Sequence, residues 1–172
     1  LGGQDVATWL RHHPSHEKEL YRCAADVLVK LHRVAPPPDL PALTAQEGAA
    51  LLDLVGSYYS RADITDLQSE MQKALMEHAP VADRLALRDF HAENLIWRPA
   101  YKGTDRVGLL DFQDAFVAPA GYDLVSLIRD ARRDVAQTLA DDIYAYFAEQ
   151  ARLGPDFTTQ LACIAIQRNL RI

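Results

Sequence analysis

Apolar residues recur at helical spacing through the first half of the chain and give way to short strand-like runs near residue 85. Leu20, Cys23, Ala24, Val27, Leu28 and Leu31 fall on one helical face, with Ser15 as the candidate N-cap. The run "APPPDLP" at 35–41 cannot continue as helix, because proline lacks an N–H and its ring clashes with the preceding turn. Thr44 and Glu47 form a capping-box pattern ahead of a helix carrying Leu51, Leu52, Val55 and Tyr59. Leu67, Met71 and Leu75 mark a third helix, ended near Pro80. Two strand-like runs follow, "LIW" and "RVGLL", on either side of a polar turn, "RPAYKGTD". Helical spacing returns over roughly 122–132, 135–152 and 157–172, with Asp134 and Asp156 as candidate caps for the last two. The pattern predicts a mainly α domain with one small β-hairpin in its middle, an α+β arrangement without repeats or a domain-sized linker.

The stretch "LALRDFHAENLIW" at 85–97 breaks this regularity. Arg88, Asp89, His91, Glu93 and Asn94 are packed between two apolar runs, and a second run, "VGLLDFQDA", ends abruptly on Asp111. If the two strands pair with Trp97 opposite Gly108, Asn94 falls opposite Asp111. Opposed side chains share a face with Cβ atoms about 4.5–5.5 Å apart. That register sets a carboxylate beside an amide oxygen, hard ligands that suit Mg²⁺ completed by waters and phosphate oxygens. Asp89 sits at the same open end and can face a substrate. The alternative, that these are ordinary Asx turn residues, leaves their mutual spacing unexplained.

Composition narrows the class. The 172 residues suffice for one domain with a substantial core, and 49% hydrophobic content is that of a globular chain. A net charge of −6 argues against nucleic-acid backbone binding. No apolar run approaches the ~20 residues of a membrane span, so a cytoplasmic protein is expected. Cys23 and Cys163 are far apart and read as small buried hydrophobes. His12 and His16 have i, i+4 spacing, but Pro14 interrupts the helix a metal pair would need. The run "RDARRD" at 129–134 reads as a solvated helix face.

The order D-x-x-x-x-N, then a strand ending D-F, resembles the catalytic and metal loops of kinase-like phosphotransferases. "DFHAEN" is similar to the D-x-H-x-x-N loop of the aminoglycoside phosphotransferase and choline kinase family. "LLDFQDAFVAPAGYDLVSLIRDARRDV" resembles that family's bacterial branch of amino-sugar kinases acting on N-acetylmuramate or N-acetylglucosamine. The resemblance is carried by residues 85–135. It implies the C-terminal lobe of a protein-kinase-like fold, with ATP and Mg²⁺ as cofactors and a small-molecule alcohol or sugar as acceptor. It makes Asp89 the residue that orients the attacking hydroxyl and accepts its proton. It assigns Asn94 and Asp111 to the metal, and His91 and Asp123 to bracing the loop. Arg88, Gln113 and Asp114 are candidate substrate contacts. The implied reaction moves the γ-phosphate of ATP to the anomeric hydroxyl of an N-acetylated amino sugar.

The pattern also departs from the family's. Leu87 stands where the loop commonly begins with histidine, and "DFQD" lacks the glycine of a DFG motif, leaving Asp114 as a contact for substrate or a second metal. None of the four lysines lies on a V-A-I-K-like strand, and the eight glycines include no G-x-G-x-x-G. The chain begins on "LGGQD" without Met and stops inside an amphipathic run. The expectation is therefore that residues 1–172 are one lobe of a longer chain whose N-terminal, ATP-covering lobe lies outside this sequence. Other classes remain open: an aminoglycoside or choline kinase, a silent pseudokinase module, or a metal-dependent phosphohydrolase. The last would usually call for more His and Asp ligands.

Overall fold

Leu20, Ala24, Val27 and Leu28 bury one face of a helix against the rest of the molecule, and their spacing explains where the core begins. In the computed structural model this helix, α2 (Glu17–Leu31), follows a short strand β1 (Gln4–Asp5) and helix α1 (Val6–His12). The structure describes residues 3–60 and 63–171, with the side chains of residues 59, 60 and 171 outside it. The expectation for Tyr59 therefore lies beyond what is described. Then come α3 (Ala45–Ala50), a π-helical turn at Val55–Ser60, and α4 (Thr65–His78). The second half runs β2 (Arg84–Ala86), β3 (Leu95–Trp97), β4 (Val107–Leu109), β5 (Phe116–Ala118), α5 (Tyr122–Ile128), α6 (Gln137–Gln150) and α7 (Phe157–Arg171).

The mainly helical expectation holds, and the sheet content is larger than one hairpin. Strands β1, β3 and β4 form an antiparallel sheet with β3 central, and β2 pairs with β5 in a second. The predicted hairpin exists, but its register differs by one residue: Trp97 lies opposite Val107 and Ile96 opposite Gly108. Its connection contains a 3₁₀ turn at Gly103–Arg106 rather than a two-residue loop that would have fixed the pairing. The last ladder bond runs from Leu110 N–H to Asn94 C=O at 3.0 Å. Asp111 thus falls one step beyond Asn94's partner and not opposite it.

Several helix ends also move. A 3₁₀ turn at Pro14–His16 precedes α2, which starts after His16 without a side-chain cap, so Ser15 does not cap it. Asp134 does not cap α6 either, since the N-cap position is Ala136. Asp156 does precede α7 directly, its carbonyl accepting from Gln160 N–H at 3.0 Å. Helix α5 ends at Ile128, so "RDARRD" is a turn and not a helix face. Within it Asp130 is buried and Arg133 pairs with Glu17. The Thr44–Glu47 capping box forms as expected, with Glu47 N–H donating to Thr44 Oγ1 at 3.1 Å and Thr44 N–H to Glu47 Oε2 at 2.9 Å.

The core lies where α2, α5, α6 and α7 meet the two small sheets, around Tyr21, Phe90, Trp97, Leu124, Phe147 and Ile164. The proline-rich segment ends by docking on β5: Val117 N–H donates to Pro41 C=O at 2.8 Å and Leu43 N–H to Val117 C=O at 2.7 Å. That anchor carries α3 to the edge of the loop at 87–94. Among the described residues no helix is long and apolar enough to cross a membrane.

Candidate functional site

The polar knot of the sequence is a tightly wound loop between β2 and β3 whose apolar residues plug the core. Leu87, Phe90, Ala92 and Leu95 are buried, while Asp89 and Asn94 are partly exposed and Glu93 is exposed. The alternation turns the apolar side chains inward and leaves the chemistry on the outer rim. Backbone bonds wind it tight: Asp89 N–H to Leu87 C=O and His91 N–H to Asp89 C=O, both 3.0 Å, and Asn94 N–H to His91 C=O, 2.9 Å.

Arg88, at the start of the loop, has φ of 76°, a left-handed conformation disfavoured for any residue with a Cβ. Three hydrogen bonds hold it there. Asp123, buried on the first turn of α5, accepts from Leu87 N–H at 2.7 Å and from Arg88 N–H at 3.1 Å. Ser126, one helical turn on, donates from Oγ to Arg88 C=O at 3.2 Å. The Asp123 and Ser126 side chains, three residues apart on one helix face, grip the peptide groups that aim Asp89. Leu87, at the position where the resemblance implies histidine, buries its side chain in the core and offers its backbone N–H to Asp123.

Burial pushes the Asp123 carboxyl up to about 7, against the pull of the two amide donors and of Arg168, with Asp89 adding to the rise. Arg168 is itself buried, on α7. Neither Ser126 nor Arg168 was singled out from the sequence. The i, i+3 spacing of Asp123 and Ser126 was the available signal for the first. Nothing local points to the second, 45 residues downstream of Asp123.

Asn94 closes the loop from the other side. Its Nδ2 donates to Asp89 C=O at 3.0 Å and meets His91 Nε2 at 3.3 Å. The amide nitrogen is thus spent on the loop, and among the described residues nothing donates to Oδ1. Burial, with the Arg132 guanidinium nearby, holds His91 below the ordinary imidazole range, so the ring is neutral and Nε2 can accept. The proton then belongs on Nδ1, which is buried without a hydrogen-bond partner.

Asp111 follows the last ladder residue and is exposed, with φ of 55°, a conformation Asp tolerates better than most residues. Gln113 Nε2 donates to its Oδ1 at 2.5 Å, leaving Oδ2 to solvent or a ligand. No group of three or more His, Cys, Asp or Glu side chains forms a metal cluster among the described residues. His12 and His16 lie on different elements, α1 and the 3₁₀ turn.

The three residues singled out as substrate contacts share one cavity. Arg88, Gln113 and Asp114 line a space of about 640 Å³, and Arg88 and Asp114 approach to 3.8 Å. Leu40, Leu43, Ala50, Leu51 and Phe116 make its apolar wall and Glu47 adds a second carboxylate. The cavity is largely apolar with a few charged groups in its wall, the usual make-up of a small-molecule site.

The profile of the phosphotransferase enzyme family APH matches residues 1–157. A segment of 49 residues is 59% identical to an N-acetylmuramate/N-acetylglucosamine kinase of Caulobacter vibrioides, covering 28% of this chain and 14% of that protein. A segment of 93 residues is 33% identical to the protein of the same name in Neisseria meningitidis serogroup B, covering 49% of this chain and 26% of that one. The matched segments thus fall well short of two thirds of either relative.

Proposed function

Because the chain belongs to the phosphotransferase enzyme family, we propose that it is the C-terminal, acceptor-binding lobe of an ATP-dependent small-molecule kinase. The N-terminal lobe of the parent chain would cover the nucleotide. The observation that carries this reading is the closed loop: Asn94 is tied through its amide nitrogen to the Asp89 carbonyl. One closed unit therefore links the acid and the amide oxygen, and the Leu110–Asn94 ladder bond brings the strand that leads into Asp111 to the same end of the hairpin.

Asp89 orients the acceptor hydroxyl and takes its proton as the phosphoryl group arrives. The transition state is loose, so positioning matters more than basicity, and an ordinary carboxylate suffices. Asn94 Oδ1 and the Asp111 carboxylate are hard oxygen donors suited to Mg²⁺, which normally draws its other ligands from water and phosphate. Such an ion, when bound, supplies the charge stabilisation of the transferring phosphate. Asp123 and Ser126 hold the Arg88 peptide and with it the direction of Asp89. Gln113 keeps one Asp111 oxygen in place.

The acceptor is proposed to be an N-acetylated hexosamine phosphorylated at its anomeric hydroxyl. The names of the two relatives support this, and the cavity's amide, guanidinium, two carboxylates and apolar wall offer hydrogen-bond partners for the hydroxyls and N-acetyl group of a sugar. A reaction that uses ATP is expected in the cytoplasm, and that compartment is part of the proposal. Phosphorus NMR of the product formed by the full-length protein tests the reading: an anomeric phosphate couples to H1 and is acid-labile. A phosphate on choline or on an aminoglycoside ring would replace the acceptor and leave the transfer chemistry standing. No transfer to any alcohol would favour a silent module.

A further inference from the structure

Away from the loop, the C-terminal ends of α2 and α6 and the start of β2 enclose a second cavity of about 360 Å³. Arg33, Arg84 and Arg152 line it, with His32 beside them and no acidic residue in the wall. In a chain of net charge −6 this is a local reversal of sign. Arg84 pairs with Asp83 at 3.2 Å. The side chains of Arg33 and Arg152 make no hydrogen bond or ion pair with any described residue. Arg152 is moreover held at φ 55°, where glycine is the comfortable residue. Burial and the Arg84 charge push His32 down to about 4, and its Nδ1 is buried without a partner.

A simpler role exists for two of these residues. Arg33 and Arg152 each follow the last turn of a helix, where a cation is favourable against the exposed carbonyls. That role does not require them to share a cavity, and it does not place Arg84, which sits on a strand. Three arginines lining one cavity, Arg33 and Arg152 both exposed and Arg84 half-buried, instead offer guanidinium groups to the oxygens of a phosphate, which arginine binds in bidentate fashion.

We propose that this cavity binds a small organic phosphate carrying at least two negative charges, at a site separate from the Asp89 loop. It shares no residue with the loop or with the 640 Å³ cavity, so it stands or falls independently of the phosphotransfer reading. The test is a proton NMR titration of the full-length protein with inorganic pyrophosphate, in metal-free buffer, following the His32 ring. Saturable binding should move the His32 resonance and raise its titration point, because the bound anion offsets the Arg84 charge. Arg152→Gly relieves the backbone conformation, so the fold is kept, and it should weaken pyrophosphate binding about tenfold. Asp111→Asn should leave the His32 response unchanged. The proposal is overturned if His32 does not respond at millimolar pyrophosphate, or if its response is lost in Asp111→Asn. It is equally overturned if Arg152→Gly lowers the melting temperature with binding intact, the signature of a helix-end role alone.

Discussion

Replacing Asp123 with alanine strips the clamp from the loop and leaves two backbone N–H groups, of Leu87 and Arg88, without their acceptor. The buried Leu87 donor costs about 1–3 kcal/mol when orphaned and the part-buried Arg88 donor less, so the loss is roughly 2–4 kcal/mol, a large share of the ~5–15 kcal/mol that holds a typical domain. The loss should depend on pH. Burial pushes the folded carboxyl up to about 7 from the ordinary 3.8 of an aspartate. A raised folded value means that this group's stabilisation is complete below about pH 4 and is lost as pH rises through about 7. Between pH 5 and the folded value lie about two units, at about 1.4 kcal/mol each. The gap between wild type and Asp123→Ala should therefore narrow by ~3 kcal/mol from pH 5 to pH 8. Urea denaturation of both proteins at the two pH values measures it. Equal gaps at pH 5 and pH 8, or a loss under about 1 kcal/mol at pH 5, would show that Asp123 does not clamp the loop.

Gly121 caps α5 with φ of 92°, and a Cβ there would lie 2.7 Å from Leu161 Cδ1 and 2.8 Å from Phe157 Cε2. Gly121→Ala should cost about 2–5 kcal/mol, combining left-handed strain with overpacking, as read by thermal or urea unfolding. Thr44→Ala removes the side-chain half of the capping box on α3, the Thr44 Oγ1 acceptor of Glu47 N–H, and leaves the Thr44 N–H to Glu47 Oε2 bond; it should cost ~1 kcal/mol in the same assay. If residues 1–172 are one lobe as proposed, they should by themselves bind Mg-ATP weakly and transfer no phosphate, since a single lobe would supply only part of the phosphate contacts. Calorimetry giving micromolar affinity for this chain would contradict that.

Much of the helical frame was legible because long amphipathic segments repeat their period many times: α2, α4, α6 and α7 all carry it. The capping box of α3 was legible for a different reason, a specific pair of side chains. Strands of two or three residues, such as β1, β2 and β5, show no period, and only tertiary pairing defines them. The hairpin slipped by one because nothing in "RPAYKGTD" fixes a tight turn, and because Asp111 leaves the ladder in a left-handed conformation. Alternation cannot be extrapolated through such a residue. The site's motif residues were visible as spacing along the chain. Their support was not: Ser126 acts through a backbone carbonyl 38 residues away, and Arg168 reaches Asp123 from another helix.

In the proposed reaction Asp89 addresses the acceptor while Asn94 and Asp111 address the metal-bound nucleotide. Steady-state kinetics of the full-length protein, with nucleotide affinity measured in parallel, separates the two roles. Asp89→Asn should lower kcat roughly 10²–10⁴-fold and leave ATP affinity nearly intact, whereas Asp111→Asn should weaken nucleotide binding and turnover together. A wild-type kcat in Asp89→Asn would contradict the account.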